Sequence, residues 1–197
     1  NYETLAINSG PSHTIVNDMY LGTNAADPDS NGFHDGTDNN NNASDDDVKG
    51  TTPDDEDAIS APISILSEDF NLNVVCNDYS ATNGNLGGVV YGWIDANRNG
   101  LFETSESASA QCNDTSATAN GSATLSWSGL DLVGGISYLR LRITNSNLVD
   151  TSTADTQDDR AYGSTNRGEV EDHQITIAPK VSGYVFHDNG DSSGVKG

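Results

Sequence analysis

The sequence predicts an all-β protein, a β-sandwich of jelly-roll type with long loops, and three observations carry that expectation. Short segments rich in Val, Ile, Leu, Thr, Tyr and Trp recur between clusters of Gly, Asn, Asp and Ser, the mark of strands separated by turns. No segment sustains the 3.6-residue apolar period of a helix. Two of the connections are long and almost wholly polar, which suits the loop-bearing ends of a sandwich.

Taken in order, residues 13–21 hold enough β-branched and aromatic residues for a first strand, ended by Gly22. Residues 24–57 then carry almost nothing apolar, so this stretch either stays disordered or folds around ions. Strands are expected at 58–66, 70–76, 89–94, 123–127, 136–143 and 170–177. In the fifth of these, Tyr138, Arg140 and Arg142 alternate with Leu139, Leu141 and Ile143, predicting one wet face and one packed face. Residues 145–167, full of Thr, Ser, Asn and Asp, read as a second long surface loop. The sandwich is expected to occupy residues 1–179, with 180–197 as a separate C-terminal strand.

At 197 residues the chain can bury a sizeable core without staples. Thirty acidic residues against eight basic ones leave a net charge of −22. Such self-repulsion calls for counter-charge, and multivalent cations are the natural source. Nucleic acid and anionic membrane surfaces are excluded as partners on the same ground. No apolar run approaches the roughly 18 residues that a spanning helix needs, so no membrane insertion is expected. The start at Asn1-Tyr2, without Met, reads as a processed or trimmed piece of a longer polypeptide.

The sharpest motif runs from Asp95 to Glu106. Asp95, Asn97 and Asn99 stand at alternate positions, Gly100 follows where the chain must turn, and Glu106 closes the series. This is the D-x-[DN]-x-[DN]-G-x5-E pattern, in which a hard cation collects six to eight oxygens. Asp95, Asn97, Asn99 and Glu106 would supply side-chain oxygens, Leu101 a carbonyl, and Glu103 a contact through water. The preceding Val-Val-Tyr-Gly-Trp-Ile is strand-like, so the loop hangs from a strand and not from an EF-hand helix. The competing reading is a solvated polar turn.

A second, less complete copy opens with Asp27, Asp29, Asn31 and Gly32, puts Phe33 at the carbonyl position and closes on Asp38. Asp54, Asp55, Glu56 and Asp57 crowd four carboxyls together; they hold a cation, or form a solvated charge run. Glu169 and Glu171 lie on one face of a strand and Asp172 on the other, and near two acidic loops they read as ion ligands. Two or more calcium ions are therefore expected.

The two cysteines, Cys76 and Cys112, are each followed by Asn-Asp. An even count in an acidic, Lys-poor, Asn/Thr/Ser-rich chain of extracellular character favours a disulfide over two free thiols. Asn42, Asn113 and Asn120 fit the N-glycosylation pattern. Enzymatic chemistry is not expected. The four histidines lack zinc-ligand spacing, and neither a nucleophile elbow nor a phosphate loop occurs. Carboxylates are too abundant for any pair to signal glycoside hydrolysis. Trp93 and Trp127 offer a platform for a sugar, although each also sits in a strand pattern where a core role is the commoner fate.

The run Gly168-Glu-Val-Glu-Asp172 resembles the signature of the bacterial GEVED domain, found in large secreted and cell-surface proteins. Other pieces agree in order: Gly-Pro-Ser-His-Thr-Ile from Gly10, Tyr20-Leu-Gly, the Asp-Asp-Glu-Asp cluster, Trp-Ile-Asp-Ala-Asn-Arg-Asn-Gly from Trp93, and Tyr-Leu-Arg-Leu-Arg-Ile from Tyr138. The resemblance spans about residues 2–178 and implies an all-β module with bound calcium and no enzymatic activity. His173 departs from the Tyr usual there. Beyond it, Val181-Ser-Gly-Tyr-Val-Phe-His-Asp188 resembles the opening strand of the B repeats of bacterial adhesins.

Together these readings predict a calcium-stabilised structural or adhesive module of an extracellular or cell-surface protein or fibre. Its partners would be neighbouring copies of itself, joined head to tail by strand addition, or adjacent modules, with surface glycans as further candidates. The alternatives are a carbohydrate-binding module and a non-catalytic appendage of a secreted hydrolase.

Overall fold

The computed structural model describes residues 10–25, 57–60, 62–153 and 156–179. The expected second ion loop (Asp27, Asp29, Asn31, Phe33 and Asp38), the acids Asp54, Asp55 and Glu56, the expected acceptor Asn42 and the expected C-terminal strand at 180–197 all lie outside the described residues.

Among the described residues the chain forms twelve strands and no α-helix. They are β1 (Ser12–His13), β2 (Tyr20–Leu21), β3 (Ile63–Ile65), β4 (Phe70–Asn77), β5 (Tyr79–Ser80), β6 (Gly84–Asn85), β7 (Val89–Ile94), β8 (Ser107–Gln111), β9 (Gly121–Trp127), β10 (Gly135–Thr144), β11 (Ser164–Thr165) and β12 (Glu169–Ile177). A five-stranded sheet in the order β3-β12-β10-β7-β8 faces a three-stranded sheet β2-β4-β9. The fold is a β-sandwich. Its backbone is the long antiparallel pairing of β10 with β12, from Gly135 opposite Ile177 to Ile143 opposite Glu169.

The core lies between the sheets. Alternate residues of each strand point into it: Val74 and Cys76 from β4, Leu125 and Trp127 from β9, Leu139, Leu141 and Ile143 from β10, and Ile175 and Ile177 from β12, all buried. Cys76 and Cys112 are bridged, with Cα atoms 6.1 Å apart. Since β4 belongs to one sheet and Cys112 directly follows β8 of the other, the disulfide clamps the two layers together.

Two expectations are corrected. Residues 13–21 make no continuous strand; only the two-residue pieces β1 and β2 pair, and to different partners, β11 and β4. The outer face of β10 is not wet either. Arg140 and Arg142 are both fully buried, because residues 160–163 fold over that face. Arg140 donates to both oxygens of Asp172 at 2.7 and 2.6 Å and to the Ala161 carbonyl, and its guanidinium lies 4.9 Å from the Phe102 ring centre and 5.5 Å from that of Tyr162. Arg142 reaches the carbonyls of Arg160, Tyr162 and Gly163. A small second core, Trp93, Phe102 and Ala161 with Tyr91, Tyr138 and Tyr162 against it, fills the same space.

Candidate metal centre

The Asp95–Glu106 loop is the connection of the β7–β8 hairpin, with Trp93 of β7 opposite Ser107 of β8. It therefore hangs from strands at both ends. Arg98 adopts a left-handed φ of 59° and Gly100 one of 84°. The second position explains the glycine, since side chains with a Cβ rarely take that conformation. The Arg98 guanidinium turns out of the loop to the carbonyls of Gly134 and Ile136.

Within the loop the acids turn inward. Asp95, Glu103 and Glu106 are all at most 5% exposed. Asp95 accepts from the backbone N–H of Asn99 through Oδ1 (3.0 Å) and of Gly100 through Oδ2 (3.1 Å). Glu106 closes the loop on itself, its Oε1 taking the N–H groups of Ala96 (2.7 Å) and Asn97 (3.2 Å) and its Oε2 that of Glu103 (3.3 Å). The amides of Asn97 and Asn99 donate to the two oxygens of Glu103, at 2.7 and 3.0 Å, while their own oxygens cap the N–H groups of Asn99 and Leu101. Leu101 lies at the surface. Burial pushes the Glu106 carboxyl up to about 7, with the three backbone donors pulling down and the Asp95 carboxylate adding to the rise.

The loop is anchored from below. Trp127 Nε1 donates to the Glu106 carbonyl at 2.7 Å, Ser137 Oγ donates to the Asp95 carbonyl, and Phe102 is fully buried in the small core. Oxygen donors of five side chains thus gather on one twelve-residue turn, three of them buried carboxylates. Among the described residues no group of three or more His, Cys, Asp or Glu side chains stands in ready-made metal geometry. The donor set is of the hard, all-oxygen kind that suits calcium and not zinc.

The other predicted site residues divide into two groups. Glu169 accepts from the N–H of Leu21 at 2.5 Å, Glu171 from that of Ala58 at 3.3 Å, and Asp57 from that of Thr23 at 2.6 Å. These three acids thus lie beside Leu21, Thr23 and Ala58, which flank the acidic segment in sequence. After burial itself, Asp114, Asp57 and Glu169 all raise the Tyr20 phenol. Asp172 lies on the opposite face of β12, engaged by Arg140, and is not brought together with Glu169 and Glu171. Gly168, just before β12, has φ 121°, and a Cβ there would lie 1.8 Å from the Ile143 carbonyl oxygen.

Residues 89–176, from the start of β7 almost to the end of β12, match the family model of the GEVED domain. This stretch is a GEVED domain. The matched span contains both the Asp95–Glu106 loop and the Gly168–Asp172 run that names the family. The earlier pieces at residues 10–15, 20–22 and 54–57 lie outside it. No curated protein and no solved structure matches the chain.

In the GEVED domain Trp93 and Trp127 are 0% and 4% exposed, so neither indole presents a face to a sugar. Trp93 Nε1 donates to Asp158 at 2.8 Å. Asn113 and Asn120 are exposed, and the Asn120 amide donates to the Gly22 carbonyl at 3.2 Å. Sequence reasoning missed Asp158, His13 and the buried role of Arg140. The signal for the last was present as an Arg-x-Arg alternation on β10, with Asp172 of β12 opposite Arg140.

Proposed function

We propose that the protein is a calcium-stabilised structural and adhesive module of an extracellular bacterial surface protein or fibre, whose copies join head to tail by strand addition. The observation that carries this reading is the burial of Asp95, Glu103 and Glu106 on one hairpin connection that also carries Asn97 and Asn99. Burying three carboxylates costs free energy unless a counter-charge is supplied. A divalent cation on these oxygens supplies it and locks the turn. Asp57, Glu169 and Glu171 form a second acidic group beside the acidic segment, and two or more ions are proposed in all. The disulfide fits an oxidising, extracellular setting. No helix among the described residues is long and apolar enough to cross a membrane. A role in catalysis is not proposed, and the burial of both indoles leaves the glycan-binding alternative with less support.

Calcium removal tests the reading. Each ion held at about 100 times its dissociation constant contributes about 2.7 kcal/mol, so two or three ions raise the melting temperature of a domain this size by about 10–30 °C. Melting in excess EGTA should show that loss, and an unchanged curve overturns the proposal. Asp95→Ala should cost more than Asp27→Ala, because the first loop has the fuller ligand series. The opposite order in melting or calcium stoichiometry would overturn the ranking.

A further inference from the structure

Among the described residues the sandwich has an open side. Among them β3 ends the five-stranded sheet and pairs only with β12. Residues 70–74 of β4 pair on one side with β9, and among the described residues no strand pairs with their other side. Between these two edges runs a groove of about 390 Å³ lined by Ile59, Pro62, Ile63, Phe70, Leu72 and Val75. Ile59, Phe70 and Leu72 pack against the main core yet remain partly exposed, so the described residues leave the core incompletely covered here. A groove with apolar walls and a free strand edge on each side accepts an extended peptide, whose main chain extends a ladder and whose alternate side chains fill the gap.

We propose that this groove receives residues 181–186 of a second copy of the chain. This rests on the head-to-tail reading above and assigns its acceptor surface. Val181, Val185, Tyr184 and Phe186 put apolar groups on both faces of an extended strand, one of which the core would cover. Charge agrees. Residues 180–197 hold two Lys and two Asp, so the whole net charge of −22 resides in residues 1–179, and this segment approaches another copy without net repulsion. The exit of the chain favours a second copy over the same one. Ala178 makes the last bond to β3, its N–H to the Ile65 carbonyl at 2.8 Å. Pro179, which cannot extend a ladder, then packs on Gly134, so closely that a Cβ there would lie 2.6 Å from the Pro179 Cα. Gly134 precedes β10, on the far side of β12 from the groove.

Two full-length variants test the pairing. Leu72→Arg blocks the groove and leaves the strand intact, and Val185→Asp does the reverse; Ile59→Arg serves as a second groove variant if Leu72→Arg melts early. By light scattering with calcium present, the natural chain should grow in mass with concentration and each variant should stay at 20.7 kDa. Mixed, the two variants should form a species of twice that mass and nothing larger, since one intact groove meets one intact strand. Growth that survives both groove variants, or failure of the mixture to pair, overturns the groove assignment and leaves head-to-tail assembly standing. A natural chain monomeric at every concentration overturns assembly itself. If Val185→Asp then also lowers the melting temperature, the segment occupies its own groove.

Discussion

His13 lies between groups that require its imidazole to be neutral. Its Nε2 accepts from Arg142 Nε at 2.8 Å, and its Nδ1 faces the Arg167 carbonyl at 3.0 Å and Thr165 Oγ1 at 2.6 Å. Burial, reinforced by the Arg142 charge, holds its pKa at about 3 against the ordinary 6.5. Below pH 6.5 the unfolded chain therefore binds a proton that the folded one refuses. Stability is fully present above that pH and falls as the pH drops toward 3, by up to about 1.4 kcal/mol per unit. Denaturant midpoints at pH 7.5 and 5 should differ less for His13→Gln, which keeps a donor and an acceptor, than for the natural chain. An identical pH dependence would show that the imidazole is not the source. The residues around His13 also show where sequence reading stops. An Arg on alternate strand positions looks solvated until a later loop covers it, and nothing local to Arg142 announces the carbonyls of residues 160–163 that receive its guanidinium.

At the level of elements, the turn at Asp95–Glu106 and the strand that leads into it, β7, were legible, because polar turn spacing and β-branched runs are local signals. β8 was not anticipated. Its Ser-Ala-Ser-Ala-Gln carries no large apolar residue, and it is a strand because β7 pairs with it, which is a tertiary fact. The same holds for β1 and β11, two-residue pieces from distant parts of the chain. The disulfide was legible from an even count, although its role as a clamp between sheets needed the topology. Closing a loop across a sequence separation of 36 contributes about 3–4 kcal/mol in the chain-entropy account. The double variant Cys76→Ala, Cys112→Ala should thus melt about 6–15 °C lower, and the natural chain in strong reductant should approach the same value. Equal melting of both forms would mean that packing between the sheets, from Val74, Leu125, Leu139 and Ile175, already holds them together.

For the whole molecule, the path of the chain through its strands sets how it bears a pull. The chain enters the described fold beside the head of β12, where Leu21 meets Glu169 and the Arg167 carbonyl meets His13. It leaves at the tail of β12, at Pro179. A tension applied between those points runs along the axis of β12, so that its nine residue pairs with β10 are loaded side by side in shear and must yield together. A tension applied across the strands would open them one pair at a time. Stretched from handles at Gly10 and Pro179 in single-molecule force measurements, the domain should unfold at clearly higher force than when held at Ser67 and Pro179, which lie at the same end of β3 and β12. Equal forces for the two geometries would contradict this. A module strung in series with its neighbours would then carry tension along its strongest direction, as a link of a chain does.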